Sequence, residues 1–400
     1  MNPTLFRPLV VVTLLASLFV ASLRAAEPEI DVVHPQQGVR LVPIALEGFT
    51  GEVRSTLKFD LEIQGFEIVP SDKAQYLVSG SYGSSLIGYL QDRISKVWLL
   101  SKEYTGASAR LQAHTFADEI VEKLIPGQAG VARTQIAFKA ATPSHNSEIY
   151  LADYDGYNAQ AVTRDNTISR DPAWLPGCRV LYYTSYMSGN PFIYSHELQT
   201  RMRKVVAGFS GLNTGAALSP DGRRVAMILS KAGSPDLYVA DADGGNLKRL
   251  TTTKEDESSP CWSPDGQTIC FVSRMRGVAE LYRIPAAGGS MEMVRTGIPG
   301  NLTEPDWSPD GKTIVFTAQT GGFVLGTVPA GGGAGTILLK PGSGEAIRGE
   351  DPFWAPNSRT VIFTRRVGDR RVLSLLDVIS KQVKDVGQIS GSCSQPAWAR

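Results

Sequence analysis

Tyr150, Tyr194, Tyr238 and Tyr282 recur at a constant interval of 44 residues. A second series, Trp174, Leu218, Trp262, Trp307, Trp354 and Trp398, advances in steps of 44, 44, 45, 47 and 44. In the units that hold both marks, the first of these sites precedes the tyrosine by 20 residues. A fixed period in the forties with short strands inside each unit predicts a β-propeller. One such unit cannot bury its own apolar face, so the units must stack radially and close into a ring. The repeat is then scaffold, and function has to be sought in the loops, the central channel and the appended parts.

The unit from Thr214 to Thr251 shows the local logic. An apolar strand runs to Leu218, and Ser219-Pro220-Asp221-Gly222 turns the chain. Pro220 presets φ, Asp221 bonds to nearby backbone, and Gly222 accepts positive φ, the chemistry of a short hairpin loop ending in a bulge. Arg224 to Leu229 and Asp236 to Ala240 read as the next two strands, and Leu247 to Leu250 as a short outer one. Asp265 and Asp310 recur at the same turn position as Asp221, so turn capping is preferred to metal ligation for all three. Other units are worn: Leu175-Pro176-Gly177-Cys178 and Ala355-Pro356-Asn357-Ser358 stand in place of SPDG, and Thr327 and Ser374 in place of tyrosine.

Counting units exposes how the ring must close. Residues 134–163 hold the second, third and fourth strands of a unit but lack the first, whereas Trp398 has an inner strand and no hairpin after it. The expectation is a six-bladed propeller over residues 132–400, with one composite blade whose inner strand carries Trp398 and sits on the sheet of Ile136 and Tyr150. Such closure removes exposed sheet edges.

Residues 26–131 lack the period and read as a small α/β domain. GVRLVPIAL, FEIVP, AQYLVSGSY and SKVWLLSKEY look like strands, and 53–63 and 111–124 like helices. Leu111, Phe116, Ile120, Val121 and Leu124 are expected on one face of the second helix, with His114 exposed. Residues 1–25 read as a secretory signal: Arg7 is followed by an apolar stretch of 13 residues, Leu9 to Ala21, short of the roughly 20 that span a membrane. Export with cleavage after Ala25 is the expectation, leaving an extended acidic strip in front of the α/β domain.

The charge of +1 implies no field of one sign, so nucleic acid is not an expected partner. Cys178, Cys261, Cys270 and Cys393 match no zinc spacing. If Ser263 faces Thr268, Cys261 faces Cys270. Two small buried apolar residues are the preferred reading there, with a cross-strand bridge left open. No G-x-S-x-G elbow occurs. His145 and His196 are the histidines of the repeated region and have no partner at ligand spacing, His196 reading as a surface substitution. No catalytic residue, metal ligand or cofactor is therefore assigned, and the chain is read as a non-enzyme. An exported propeller enzyme (a metal-dependent lyase or a peptidase-related protein) and a sugar-binding propeller are the alternatives.

The run IYLADYDGYNAQAVTRDNTISRDPAWLPG, the paired loops SGNPFIY and AGSPDLY, and the N-terminal strands VRLVPIAL, GFEIVP and AQYLVSGSY together resemble the TolB family, periplasmic propeller proteins of the Tol–Pal system of Gram-negative bacteria. The resemblance implies a protein-interaction module supporting outer-membrane integrity and cell division. It implies binding of the peptidoglycan-associated lipoprotein through the propeller, and of a TolA-like inner-membrane protein through N-terminal parts. It assigns the extreme N-terminal strip here to Glu27, Glu29, Ile30, Asp31, Val32 and Val33, a segment that in the family docks or is released, its state influencing which partner binds. The loops containing Tyr186, Asn190 and Pro191, and Lys231 and Pro235, are candidates for lipoprotein recognition, although plain hairpin turns carrying glycine and proline for backbone reasons are the preferred reading of the residues alone.

Overall fold

The computed structural model describes residues 41–340, 344–387 and 389–400, so the leader and the strip Glu27–Val33 lie outside the described residues. The N-terminal region runs β1 (Val42–Glu47), α1 (Gly51–Ile63), β2 (Phe66–Ile68), β3 (Tyr76–Tyr82), β4 (Leu86–Asp92), β5 (Trp98–Tyr104) and α2 (Ala109–Leu124). Its sheet order is β2-β1-β3-β4-β5, with β1 parallel to both neighbours and β3 to β5 an antiparallel meander. Strand β4 has no counterpart in the sequence reading. Its segment LIGYLQD is interrupted by Gly88, which normally weakens a strand. Gly88 is tolerated because a Cβ there would stand 2.8 Å from the Phe116 ring, so the strand needs glycine to let α2 approach.

Helix α2 starts at Ser108, whose hydroxyl accepts from the Leu111 amide, a standard N-cap. The buried stripe is Ala113, Phe116, Ala117, Ile120 and Val121, one helical face at 3.6-residue spacing. Leu111 falls off that face and is 41% exposed, against the expectation. His114 is also corrected: it is 3% exposed, because the side of α2 opposite the sheet is covered by the propeller.

That junction is ionic. His114 Nδ1 lies 2.8 Å from Asp60 of α1, and its Nε2 lies 3.4 Å from Asp155 in the propeller. Arg110 donates to Asp155 at 2.6 and 2.9 Å and stacks on Tyr157 at 3.2 Å, while the Tyr154 hydroxyl donates to Asp60. Burial works against charge on His114, but Asp60 and Asp155 outweigh it and raise the imidazole to about 10. Burial likewise opposes the Asp155 carboxylate, yet His114 and Arg110 hold its pKa below the usual value.

The repeated region forms six four-stranded sheets among the described residues. Inner strands are Ser169–Trp174, Asn213–Leu218, Glu257–Trp262, Asn301–Trp307, Glu350–Trp354 and Cys393–Trp398. The last of these pairs with Gln135–Ala141, with Trp398 opposite Ile136 and Ala397 opposite Ala137, so one blade is built from both ends of the repeated region as expected. Apolar side chains interlock between neighbouring blades: Trp398, Ile136 and Phe138 share a core with Ile362 and Leu375 of the preceding blade. The repeat tyrosines Tyr194, Tyr238 and Tyr282 are buried at 5%, 4% and 2% exposure, which is blade packing. His196 is corrected to a buried residue at 3% exposure. It faces the Tyr183 hydroxyl at 3.2 Å, and burial, then Arg203, holds its pKa down.

Candidate functional site

The turns of the repeat fold as their residues dictate. Asp221, Asp265 and Asp310 each accept from the serine two positions earlier and from the amide two positions later, at 3.1, 3.0 and 3.1 Å. They are turn caps. The worn turns adopt positive φ without a final glycine, with Cys178 at 59° and Ser358 at 52°.

The inner strands hold a feature that the sequence reading missed. Three residues before each tryptophan-site residue, the backbone turns left-handed: Asp171, Gly215, Ser259, Glu304, Asp351 and Gln395 have φ between 49° and 63°. Each lies in a β-bulge, and all six line the central channel. The signal was present as the recurring x-Pro-x-Trp of DPAW, SPCW, EPDW, DPFW and QPAW, with GAAL as the worn copy. Proline suits a bulge because it has no N–H to leave unpaired.

The left-handed bulge residues make a polar collar. Asp171 accepts from Thr214 and Gln395 at 2.8 Å each and lies 3.0 Å from Arg170. Glu304 accepts from Thr317 at 2.7 Å and from the Asp351 amide at 2.8 Å. Asp351 accepts from Thr364 at 2.9 Å and from the Gln395 amide at 3.1 Å. The Thr214–Asp171, Gln395–Asp171, Asp351–Glu304 and Gln395–Asp351 bonds pass from blade to blade, so the collar ties the ring internally. Among the described residues no group of three or more His, Cys, Asp and Glu side chains has a metal-holding arrangement.

Burial, with Glu304 beside it, raises the Asp351 carboxyl from 3.8 to about 8. The folded protein therefore holds a proton that the unfolded chain has released between those pH values, and this group's contribution weakens as pH rises through that window. Asp351→Asn is expected to raise the melting temperature, with a gain over the parent that widens from pH 3.8 to about 8. The widening is up to about 1.4 kcal/mol per pH unit. Melting both proteins across that range checks it, and a pH-independent difference would count against the collar's electrostatics.

Toward the SPDG turns the channel opens into a cavity of about 510 Å³, walled by Trp174, Trp262, Trp307 and Trp398 and by the turn prolines Pro176, Pro220, Pro264 and Pro309. Arg400 spans this mouth, with its guanidinium on Asp306, 2.9 Å from the Trp354 carbonyl oxygen, and 4.3 Å from the Phe353 ring. The candidate loops lie at the other end of the strands. Tyr186–Pro191 and Lys231–Pro235 both join second to third strands and so share one face of the ring. Asn190 and Lys231 are exposed, while Tyr186, Pro191 and Pro235 are half-buried. The Asn213 side chain donates to the Pro191 carbonyl at 3.0 Å, Lys231 sits 3.8 Å over Phe209, and the Pro235 carbonyl accepts from the Glu257 backbone amide at 2.9 Å.

Fold and site define a six-bladed propeller with an appended α/β domain and an open channel mouth. Residues 121–400 match the TolB beta propeller domain family, and the chain belongs to that family. A Tol-Pal system protein TolB of Anaeromyxobacter dehalogenans (strain 2CP-C) is 35% identical over 158 residues, 39% of this chain and 36% of that protein. The Tol-Pal system protein TolB of Alcanivorax borkumensis is 30% identical over 261 residues, 56% of this chain and 59% of that one. The chain thus spans between about a third and three fifths of the length of these curated relatives. The crystal structure of TolB from Acinetobacter baumannii superposes with a TM-score of 0.79 at 23% identity, covering 91% of this chain and 97% of that one, a likeness of fold.

Proposed function

We propose that the chain is an exported, periplasmic binding module of a Tol–Pal envelope system, acting through protein–protein contacts and not through catalysis. The observation that supports this most is membership of the TolB propeller family across residues 121–400, together with relatives named as Tol-Pal system proteins. In this reading the propeller takes the peptidoglycan-associated lipoprotein, and N-terminal parts take a TolA-like inner-membrane protein. The strip Glu27, Glu29, Ile30, Asp31, Val32 and Val33 adds as an edge strand to the latter when released. Its docked and released populations then set which partner is held, since a ligand shifts an equilibrium only through differential affinity for the two states.

Two faces of the ring compete for the lipoprotein. The loops carrying Tyr186, Asn190, Pro191, Lys231 and Pro235 offer the exposed polar groups of Asn190 and Lys231 beside a half-buried Tyr186. The opposite mouth offers a concave, tryptophan-walled cavity. We assign recognition to the loops. Affinity capture from envelope extracts tests the whole reading, with recovery of a peptidoglycan-associated lipoprotein as the expected result. In the same assay Tyr186→Ala with Asn190→Ala is expected to weaken capture about tenfold or more, as loss of a contact worth roughly 1.4 kcal/mol would. Unchanged capture by that double variant retires the loops and leaves the cavity mouth.

A further inference from the structure

Cys261 is the penultimate residue of the channel-lining strand Glu257–Trp262, and its antiparallel neighbour places Cys270 directly opposite. Residues directly opposed across an antiparallel pair have Cα atoms about 4.5–5.5 Å apart. A disulfide requires roughly 4.4–6.8 Å. Directly opposed side chains also point to the same face of the sheet, and both sulfurs lie in one core, against Leu302, Trp307 and Ile314 of the next blade. Cys270 is fully buried, whereas Cys261 borders the channel cavity. The remaining cysteines stand elsewhere: Cys178 in a turn of another blade, and Cys393 at the start of the seam strand.

We propose that Cys261 and Cys270 are a modification site that forms an intramolecular disulfide when the chain folds in an oxidising medium, and that folding then locks whichever redox state the pair holds. The step is thiol–disulfide exchange with a small-molecule disulfide such as oxidised glutathione. The Cys261 thiolate attacks one glutathione sulfur and expels a glutathione thiolate. The Cys270 thiolate attacks the mixed disulfide at the Cys261 sulfur and expels the second. Two electrons and two protons leave the pair, and two reduced glutathiones are formed.

The lock follows from burial. Exchange needs a thiolate and access to it. The neighbouring Cys270 thiol and burial push the Cys261 thiol well above its ordinary value, so Cys261 is a poor nucleophile in the folded, reduced protein, and Cys270 is fully buried and out of reach of a reagent. An existing bridge is shielded from attack by the same packing. Bridging ties the channel wall to the second strand of its blade at the residue beside Trp262, which walls the cavity mouth.

The test refolds the full chain from denaturant in a glutathione buffer of oxidising poise, beside folded reduced protein held in the same buffer. Both are acid-quenched, alkylated under denaturing conditions and digested with trypsin. The peptide from Glu255 to Arg274 contains both cysteines, so the bridge appears as unalkylated peptide two hydrogens lighter than the dithiol. The expected result is a bridged peptide from refolded protein, with the folded reduced sample oxidising at least tenfold more slowly. Two alkyl groups on that peptide after oxidative refolding, or a link to Cys178 or Cys393, overturns the site. Equal oxidation rates overturn the lock. Where refolding is inefficient, protein sent to an oxidising compartment by a secretion leader and alkylated at harvest gives the same peptide readout. In it the Cys270→Ser variant is expected to carry one alkyl group.

Discussion

Removal of residues 394–400 is expected to destabilise the propeller by at least about 3–5 kcal/mol, the cost of losing one large buried aromatic side chain. Trp398 is 1% exposed, donates to Thr134 at 2.6 Å and packs on Tyr154. The same deletion removes most of the inner strand of the composite blade and opens a sheet edge. It also strips Arg400 from Asp306, a buried carboxylate whose pKa burial already raises against the pull of that arginine. Total stabilities are typically about 5–15 kcal/mol, so the truncated ring should be near its unfolding limit at ambient temperature. Denaturant and thermal unfolding of the truncated chain and of Trp398→Ala check this. A midpoint equal to the parent's would refute closure by the seam strand.

Asp155→Ala is expected to cost about 3–5 kcal/mol, because removing one member of a buried ion pair leaves its partners charged and under-compensated, His114 keeping Asp60 and Arg110 keeping Thr56 and the exposed Glu52. Asp155 is 2% exposed and answers both Arg110 and His114, so the loss falls on the junction between helix α2 and the first blade. The pH dependence has a definite sign. The folded pKa of His114 is raised from 6.5 to about 10, so its contribution is fully present below 6.5 and is lost as pH rises through about 10. The depressed Asp155 contributes above its ordinary 3.8 and loses that contribution as pH falls below it. Unfolding of the parent should therefore show a stability plateau from about pH 4 to 6.5 from this network, with an alkaline decline that His114→Gln removes. An alkaline limb of equal slope in that variant, or a shift under about 1 kcal/mol in Asp155→Ala, would show the junction to be held by packing alone.

Much of the architecture is written locally. The period of 44, the SPDG turns and the orphan Trp398 are facts of spacing and turn chemistry, and they lead to six blades and a composite seam because only that count leaves no strand unpaired. The bulge collar was also legible, in x-Pro-x-Trp. It went unread because its meaning, a left-handed residue aimed at a channel, belongs to the ring and not to any one repeat. Strand β4 was hidden by Gly88, whose role depends on a helix 28 residues away in sequence, at Phe116.

The histidines mark the limit most plainly. Nothing within the helix ARLQAHTFADEIVEKL distinguishes His114 from a solvated polar residue, and His196 sits equally unmarked in its strand. Their burial comes from Asp60, Asp155 and Tyr183, residues 54, 41 and 13 positions distant that approach only once sheets and helices have docked. Repeat number, turn type and strand pairing follow from the chain alone, because they arise from backbone preferences and apolar period over a few tens of residues. Which polar groups are taken out of water, and hence which are charged, tied together or shielded from reagents, was decided by the tertiary structure. Desolvation is a property of everything packed around a group, and no stretch of sequence carries that by itself.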